Sequence, residues 1–265
     1  MTKQLIEELI NTAQMAKVSV DLTKKIISLI DLTSLNDTDD EIVIDKLCSK
    51  AITPLGPVAA VCVYPQFVRQ AKTKLLNTAV KVATVANFPR GNATQSMVLA
   101  EIERAVTEGA DEVDVVIPYQ AYLVNSAESV QGFLHACKQA CRSAKLKVIL
   151  ETGVLQSAEL IEQASQAAIQ AGADFLKTST GKVAVGATLK AAVTMLLAIK
   201  NSRAEGRLVG FKASGGIRTP EQAASYIKLA ELILGENWIS PATFRFGASG
   251  LLDALLNQLQ ANSAY

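Results

Sequence analysis

Residues 172–181 read GADFLKTSTG, and the lysine in the middle asks where this stretch lies in the folded chain. Phe175 and Leu176 supply apolar surface, while Thr178, Ser179, Thr180 and Gly181 end the run. That is the pattern of a short buried strand entering a polar turn. Lys177 stands where the apolar part stops. A surface lysine needs no such company, and a buried one is costly unless something neutralises it.

Comparable β-branched or apolar runs recur along the chain. They are IISLIDLTSL at 26–35, AAVCVYP at 59–65, KVATVANFP at 81–89, EVDVVIP at 112–118, KVILETG at 147–153, FLKTST at 175–180, VGFKASGG at 209–216 and FRFGAS at 244–249. Helical patterns such as QSMVLAEIERAVTEGA and SAELIEQASQAAIQAGA lie between them, with apolar residues three to four apart in the second. Gly109 and Gly172 follow such helices closely, where a left-handed residue ends a helix. Alternating β and α units predict a parallel sheet. Eight units in this length match a (β/α)₈ barrel, the TIM-barrel class of α/β fold, which typically takes about 250 residues. An open doubly wound sheet would ordinarily carry a GxGxxG turn after an early strand, and none occurs there. No linker or charge block divides the chain, so residues 1–265 are expected to form one domain. The amphipathic helix pattern at the N-terminus, before the first strand, reads as a plug over the closed end of the barrel.

Composition narrows the function. The 265 residues are 49% hydrophobic, with a formal net charge of +1. That balance gives no electrostatic footprint for nucleic acid or for an anionic membrane. MTKQLIEELINTAQMAK carries mixed charges, unlike a signal peptide, and no apolar run is long enough to cross a bilayer. Cys48, Cys62, Cys137 and Cys141 show no CxxC spacing and are expected as free thiols in a cytoplasmic protein. His135, the only histidine, lies in a helical stretch, so Ser-His, Cys-His and ordinary zinc chemistry would all depend on it.

Active sites of such barrels lie at the C-terminal ends of the strands. Asp31 and Thr33 fall near the end of the first strand, Asp114 within the fourth, Lys177 in the sixth and Lys212 in the seventh. Side chains alternate along a strand, so the apolar Val113 and Val115 suit the outer helices and turn Asp114 toward the barrel axis. A free lysine has a pKa near 10.4, leaving roughly one in 2,500 neutral at pH 7. A second ammonium and partial desolvation lower that pKa and supply the neutral amine that attacks a carbonyl. Lys177 and Lys212 on neighbouring strands fit that pairing, with Asp114 as the proton carrier. Glu151 is a similar strand-end carboxylate, either acting directly or hydrogen-bonding the neighbouring lysines. Loops TSTGKVAVGA, ASGGIRTPEQA and FGASGLLDALL offer backbone N–H groups at Gly181, Gly215, Gly216 and Gly247 through Gly250. The last two run into helices, as anion sites do. Lys182 is placed to reach either a phosphate or a substrate hydroxyl.

Taken together, DLTSL, CVYP, ATVANFPRG, GADEVDVVIPY, LKVILETG, GADFLKTSTGKV, GFKASGGIRT and FRFGAS closely resemble the deoxyribose-phosphate aldolases of the enterobacterial-type branch, from about Asp31 to Leu251. The resemblance implies a metal-independent class I aldolase without cofactor. Its substrates would be a phosphosugar, 2-deoxy-D-ribose 5-phosphate, and the products D-glyceraldehyde 3-phosphate and acetaldehyde. It implies Lys177 as the Schiff-base lysine, Lys212 as its perturbing partner and Asp114 as acid/base. Asp31, Thr33, Thr180 and Lys182 would line the sugar-hydroxyl region, and Gly215, Gly216, Gly247 and Ser249 the phosphate cradle. Tyr265 matches a terminal tyrosine that assists proton transfer in this branch, Cys62 a thiol position near the acceptor aldehyde, and a homodimer is the partner state the family often adopts. Two departures stand out: Gly250 replaces a second serine, and FKASGG replaces FKPAGG. Two rival readings remain at this point. One is a Schiff-base aldolase with a longer donor such as dihydroxyacetone phosphate; the other is a barrel that binds a phosphosugar without turning it over.

Overall fold

In the computed structural model, which describes residues 3–124, 127–203 and 206–263, eight parallel strands close on themselves. They are β1 (Ile30–Thr33), β2 (Ala60–Val63), β3 (Lys81–Ala86), β4 (Glu112–Val116), β5 (Lys145–Ile149), β6 (Phe175–Lys177), β7 (Gly210–Ser214) and β8 (Phe244–Ala248). Each pairs with the next, and β8 pairs back onto β1 with Asp31 opposite Gly247. All eight sequence runs therefore contain a strand, and the barrel expected from their alternation with helices is the observed one. The first run is shorter than its pattern: Ile26 and Ile27 belong to the helix Val20–Ser28, and the strand starts only at Ile30. Ser19 caps that helix through the Leu22 N–H, so the isoleucines follow the helical period rather than the strand's. A small hairpin, Ile52–Thr53 with Gly56–Pro57, lies outside the barrel.

The large apolar core lies between barrel and helices and includes Val113 and Val115. A second, smaller cluster of Leu35, Ala60, Cys62, Ala83 and Val85 is separate from it and draws on alternate residues of β2 and β3. Alternation thus puts one set of side chains against the helices and the other inside the barrel.

The N-terminal face is stitched by a repeated device. GAD at 109–111 and GAD at 172–174 each end a helix with a positive-φ glycine, Gly109 at 103° and Gly172 at 95°. The aspartate that follows accepts the first free N–H of the preceding strand. Asp111 takes that of Val82 at 2.9 Å and Asp174 that of Leu146 at 2.8 Å. Each also pairs with a lysine of a neighbouring helix, Lys72 and Lys138. A Cβ at either glycine would crowd that lysine's stem.

The first helix, Lys3–Gln14, does not plug the barrel. It packs along the outer helix Pro220–Leu234 and touches Leu189–Arg203. Its amphipathic stripe is met by the apolar surface of those helices, and Ala13 is its buried residue. The helix that enters β1 is Val20–Ser28, the one hidden within the first strand-like run. No helix among the described residues is long and apolar enough to cross a membrane.

Candidate active site

Lys177 ends β6 and borders a cleft of about 220 Å³ at the C-terminal mouth of the barrel. Asp114 and Lys212, both wholly buried, lie behind it. Lys177 Nζ donates to Asp114 Oδ2 at 2.8 Å, and Lys212 Nζ donates to the same oxygen at 2.7 Å. The two amines therefore lie no farther apart than the sum of those distances. Lys177 and Lys212 are directly opposite each other across the β6–β7 pair, which is why their side chains leave the wall at one level.

The cluster is larger than Lys177, Lys212 and Asp114 alone. Lys147, Glu112 and Arg245 belong to it. Lys147 Nζ lies 2.7 Å from Asp114 Oδ1, 2.7 Å from Glu112 and 3.5 Å from Asp31. Arg245 forks onto Glu112 at 2.8 and 3.2 Å and donates to Asp31. Its guanidinium also lies over the Phe175 ring, 5.6 Å from the centroid. Asp31 has no surface on the cleft: one oxygen accepts from Lys212 and the other from Arg245. It thus belongs to the ionic layer beneath the cleft, not to the sugar-hydroxyl lining expected of it.

This layer joins four basic groups to three carboxylates. In a low-dielectric interior one uncompensated cation is expensive. Arg245 cannot surrender its proton. Burial pushes the Lys177 amine below the ordinary lysine value; Lys212 adds to that push and Asp114 opposes it. At Lys212 burial works the same way, but Asp114 and Asp31 together outweigh it and the pKa rises. Asp114 itself is held well below the carboxylate range because Lys147, Lys177 and Lys212 outweigh its burial. With Lys177 neutral, the layer's charges balance.

Thr33, Thr180, Gly181, Lys182, Gly215, Gly216, Gly247, Ser249 and Gly250 all line the cleft, joined by Asn36, Ser214 and Arg218. Gly247 is small by necessity: a Cβ there would sit 2.8 Å from the Ser214 side chain and 3.0 Å from Lys212 Cε. Gly186 is equally constrained, since its Cβ would lie 2.3 Å from the Gly215 carbonyl oxygen. Lys182 Nζ donates to the Leu35 carbonyl at 2.6 Å, strapping the loop after β6 to the one after β1. One end of the cleft, at Gly250, adjoins the start of Leu251–Ser263 and is lined by Arg218, features of the kind that favour negative charge.

Glu151 contacts neither lysine by hydrogen bond. Its carboxylate accepts from the Thr180 hydroxyl and from the Thr180 N–H at 3.3 Å. Burial raises its pKa, and the Thr180 bonds and Lys177 only partly offset this. Its own backbone is left-handed, at φ 54°. Cys62 is buried with a raised thiol pKa, burial being the largest cause. His135 sits on the helix Ala127–Cys141 beside Gln139, away from the cleft. Tyr265 lies outside the described residues.

A buried lysine at a barrel mouth, tied through one carboxylate to a second lysine, is an arrangement suited to carbonyl chemistry. Comparison with known proteins agrees with that class. Residues 25–256 match the DeoC/LacD family aldolases. The chain belongs to that family. It is accordingly an aldolase, a carbon–carbon lyase. A candidate deoxyribose-phosphate aldolase from Coccidioides immitis has 28% identity and a TM-score of 0.79, covering 98% of each chain. One from Toxoplasma gondii has 26% identity and a TM-score of 0.81, covering 92% of this chain and 95% of its own. An aldolase called QR15 has 30% identity and a TM-score of 0.74, covering 93% of this chain and 99% of its own.

Proposed function

We propose that this aldolase reversibly cleaves 2-deoxy-D-ribose 5-phosphate to D-glyceraldehyde 3-phosphate and acetaldehyde through a Schiff base on Lys177. The observation that carries the reading is the shared Asp114 oxygen, which holds Lys177 and Lys212 together in a layer with one basic group in excess. The names borne by the similar structures support the substrate.

In the cleavage direction the neutral Lys177 amine attacks the C1 carbonyl of the open-chain sugar. Lys212 and Asp114 pass protons to the carbinolamine oxygen, which leaves as water and yields the protonated imine. A base removes the proton of the C3 hydroxyl, the C2–C3 bond breaks, and its electron pair moves into the imine. Glyceraldehyde 3-phosphate departs. The remaining enamine takes a proton at C2, and water hydrolyses the resulting imine to acetaldehyde and free Lys177. The N–H groups of Gly215, Gly216, Ser249 and Gly250, the Ser249 hydroxyl and Arg218 hold the phosphate, and Thr33, Thr180 and Lys182 face the sugar. The same reading puts the enzyme in deoxyribonucleoside breakdown in the cytoplasm, in keeping with four buried, unpaired cysteines.

Borohydride reduction in the presence of deoxyribose 5-phosphate tests it. A stable adduct is expected on Lys177 alone. A folded protein that gains no adduct, or gains it on another lysine, refutes the proposal.

A further inference from the structure

Behind the loop that follows β7 lies a second cavity of about 430 Å³, set between the helix Lys3–Gln14 and the first turns of Leu189–Arg203 and Pro220–Leu234. It shares only Gly216 and Ile217 with the catalytic cleft, so the two lie on either side of one wall. Its size falls in the range of small-molecule sites, roughly 300–1,000 Å³.

Its lining is one-sided in charge. Among the described residues no aspartate or glutamate lines it, whereas Lys190 does. Gln222 spends its amide oxygen on the Arg218 and Thr219 N–H groups, which leaves its NH₂ as a donor. Tyr226 is the informative residue. It is only 6% exposed, yet its hydroxyl has no hydrogen-bond partner among the described residues. Nor is that hydroxyl sealed into the core: it is absent from the fully enclosed unpaired atoms, and Tyr226 lines the cavity. A tyrosine buried to this extent normally finds a partner for its O–H. Ile10 and Ile217 supply the apolar walls.

We infer that this cavity is a binding site for a small amphiphilic anion, a phosphate or carboxylate head on a short apolar body. The head takes the Tyr226 hydroxyl, the Gln222 amide and Lys190, and the body lies against Ile10 and Ile217. The site is separate from the one that turns over substrate, and none of these three head-binding residues belongs to the catalytic layer.

Phenyl phosphate has both parts and serves as the probe. Calorimetric titration of the full chain is expected to show two sites, and a crystal soaked with it should place one molecule against Tyr226. In a Tyr226→Phe, Lys190→Ala double variant, one site should weaken at least tenfold while aldol cleavage without the probe is unchanged. Tyr226→Phe alone keeps the ring and its packing, so it reports the hydroxyl even if the double variant folds poorly; a threefold or greater weakening is expected from it. An isotherm identical in wild type and variants, or a probe found only in the cleft, overturns the site.

Discussion

Replacing Lys212 by methionine removes a cation while filling nearly the same space, and it tests the charge count directly. Lys212 and Lys177 donate to the same Asp114 oxygen at 2.7 and 2.8 Å, so a separation near 5 Å is a fair working value. Two unit charges roughly 5 Å apart repel by about 3 kcal/mol at an effective dielectric near 20. That equals about two pKa units. In the variant three basic groups face three carboxylates, and Lys177 no longer has to give up a proton for the layer to balance. Its pKa is expected to rise by about two units, which cuts the neutral amine roughly 100-fold below that pKa. Asp31 keeps Arg245 and Asp114 keeps Lys147, so the fold has no unpaired carboxylate to expel. The assay is the rate of borohydride trapping against pH under single-turnover conditions, with circular dichroism to confirm folding. Wild type should rise with pH and level off below the ordinary lysine value of about 10.4; the variant's profile should move to higher pH. A folded variant whose profile stays put, or moves to lower pH, refutes the reasoning.

The opposite shift is expected from Glu112→Gln, which removes an anion and leaves the layer with a larger excess of positive charge; the trapping profile should move to lower pH. The same change breaks the contacts to Lys147 and Arg245, and urea denaturation should show a loss of about 3–5 kcal/mol, as for other broken buried pairs. Gly186→Ala pushes a methyl into the Gly215 carbonyl, so the KM for deoxyribose 5-phosphate should rise at least tenfold while turnover of unphosphorylated deoxyribose changes little. Glu151 has a raised folded pKa, so the native state holds more protons than the unfolded one between about 4.5 and that value, and wild-type stability falls as pH rises through this window. Glu151→Gln lacks this titration, and thermal melts should show its stability relative to wild type increasing from pH 4 to pH 7.

What the sequence disclosed followed from period and spacing. Val113 and Val115 faced the helices, so Asp114 faced inward, and that inference needed no partner strand. The same alternation applied to Glu112, two residues earlier on the same face, and to Arg245, flanked by the outward-facing Phe244 and Phe246. Alternation alone does not place these two inside, because a charged residue at a strand start reads as a surface residue. Lys147 was harder. Lys145 shares its face and is exposed, so composition gives no reason to bury one and not the other. Only strand pairing does so, by setting Lys147 opposite Asp114 across the β4–β5 pair. Asp31 meets Arg245 across 214 residues of chain because β8 closes on β1, a pairing that no local pattern contains. The first helix was misplaced for a related reason: an amphipathic stripe says that one face is covered, not by what.

The contacts within the layer explain why the pKa falls at one basic residue and rises at the other three. Lys147 is near three carboxylates, Asp31, Glu112 and Asp114, while Lys212 and Arg245 each touch two. Lys177 touches one. Each additional carboxylate holds a proton more firmly, so deprotonation is least costly at the end of the chain of pairs, where the side chain also borders the cleft. Seven buried charges are a poor way to stabilise a barrel, since well-packed apolar residues of similar volume are often as good or better. Their arrangement is better suited to a different end: three basic groups kept charged and one left free to become an amine.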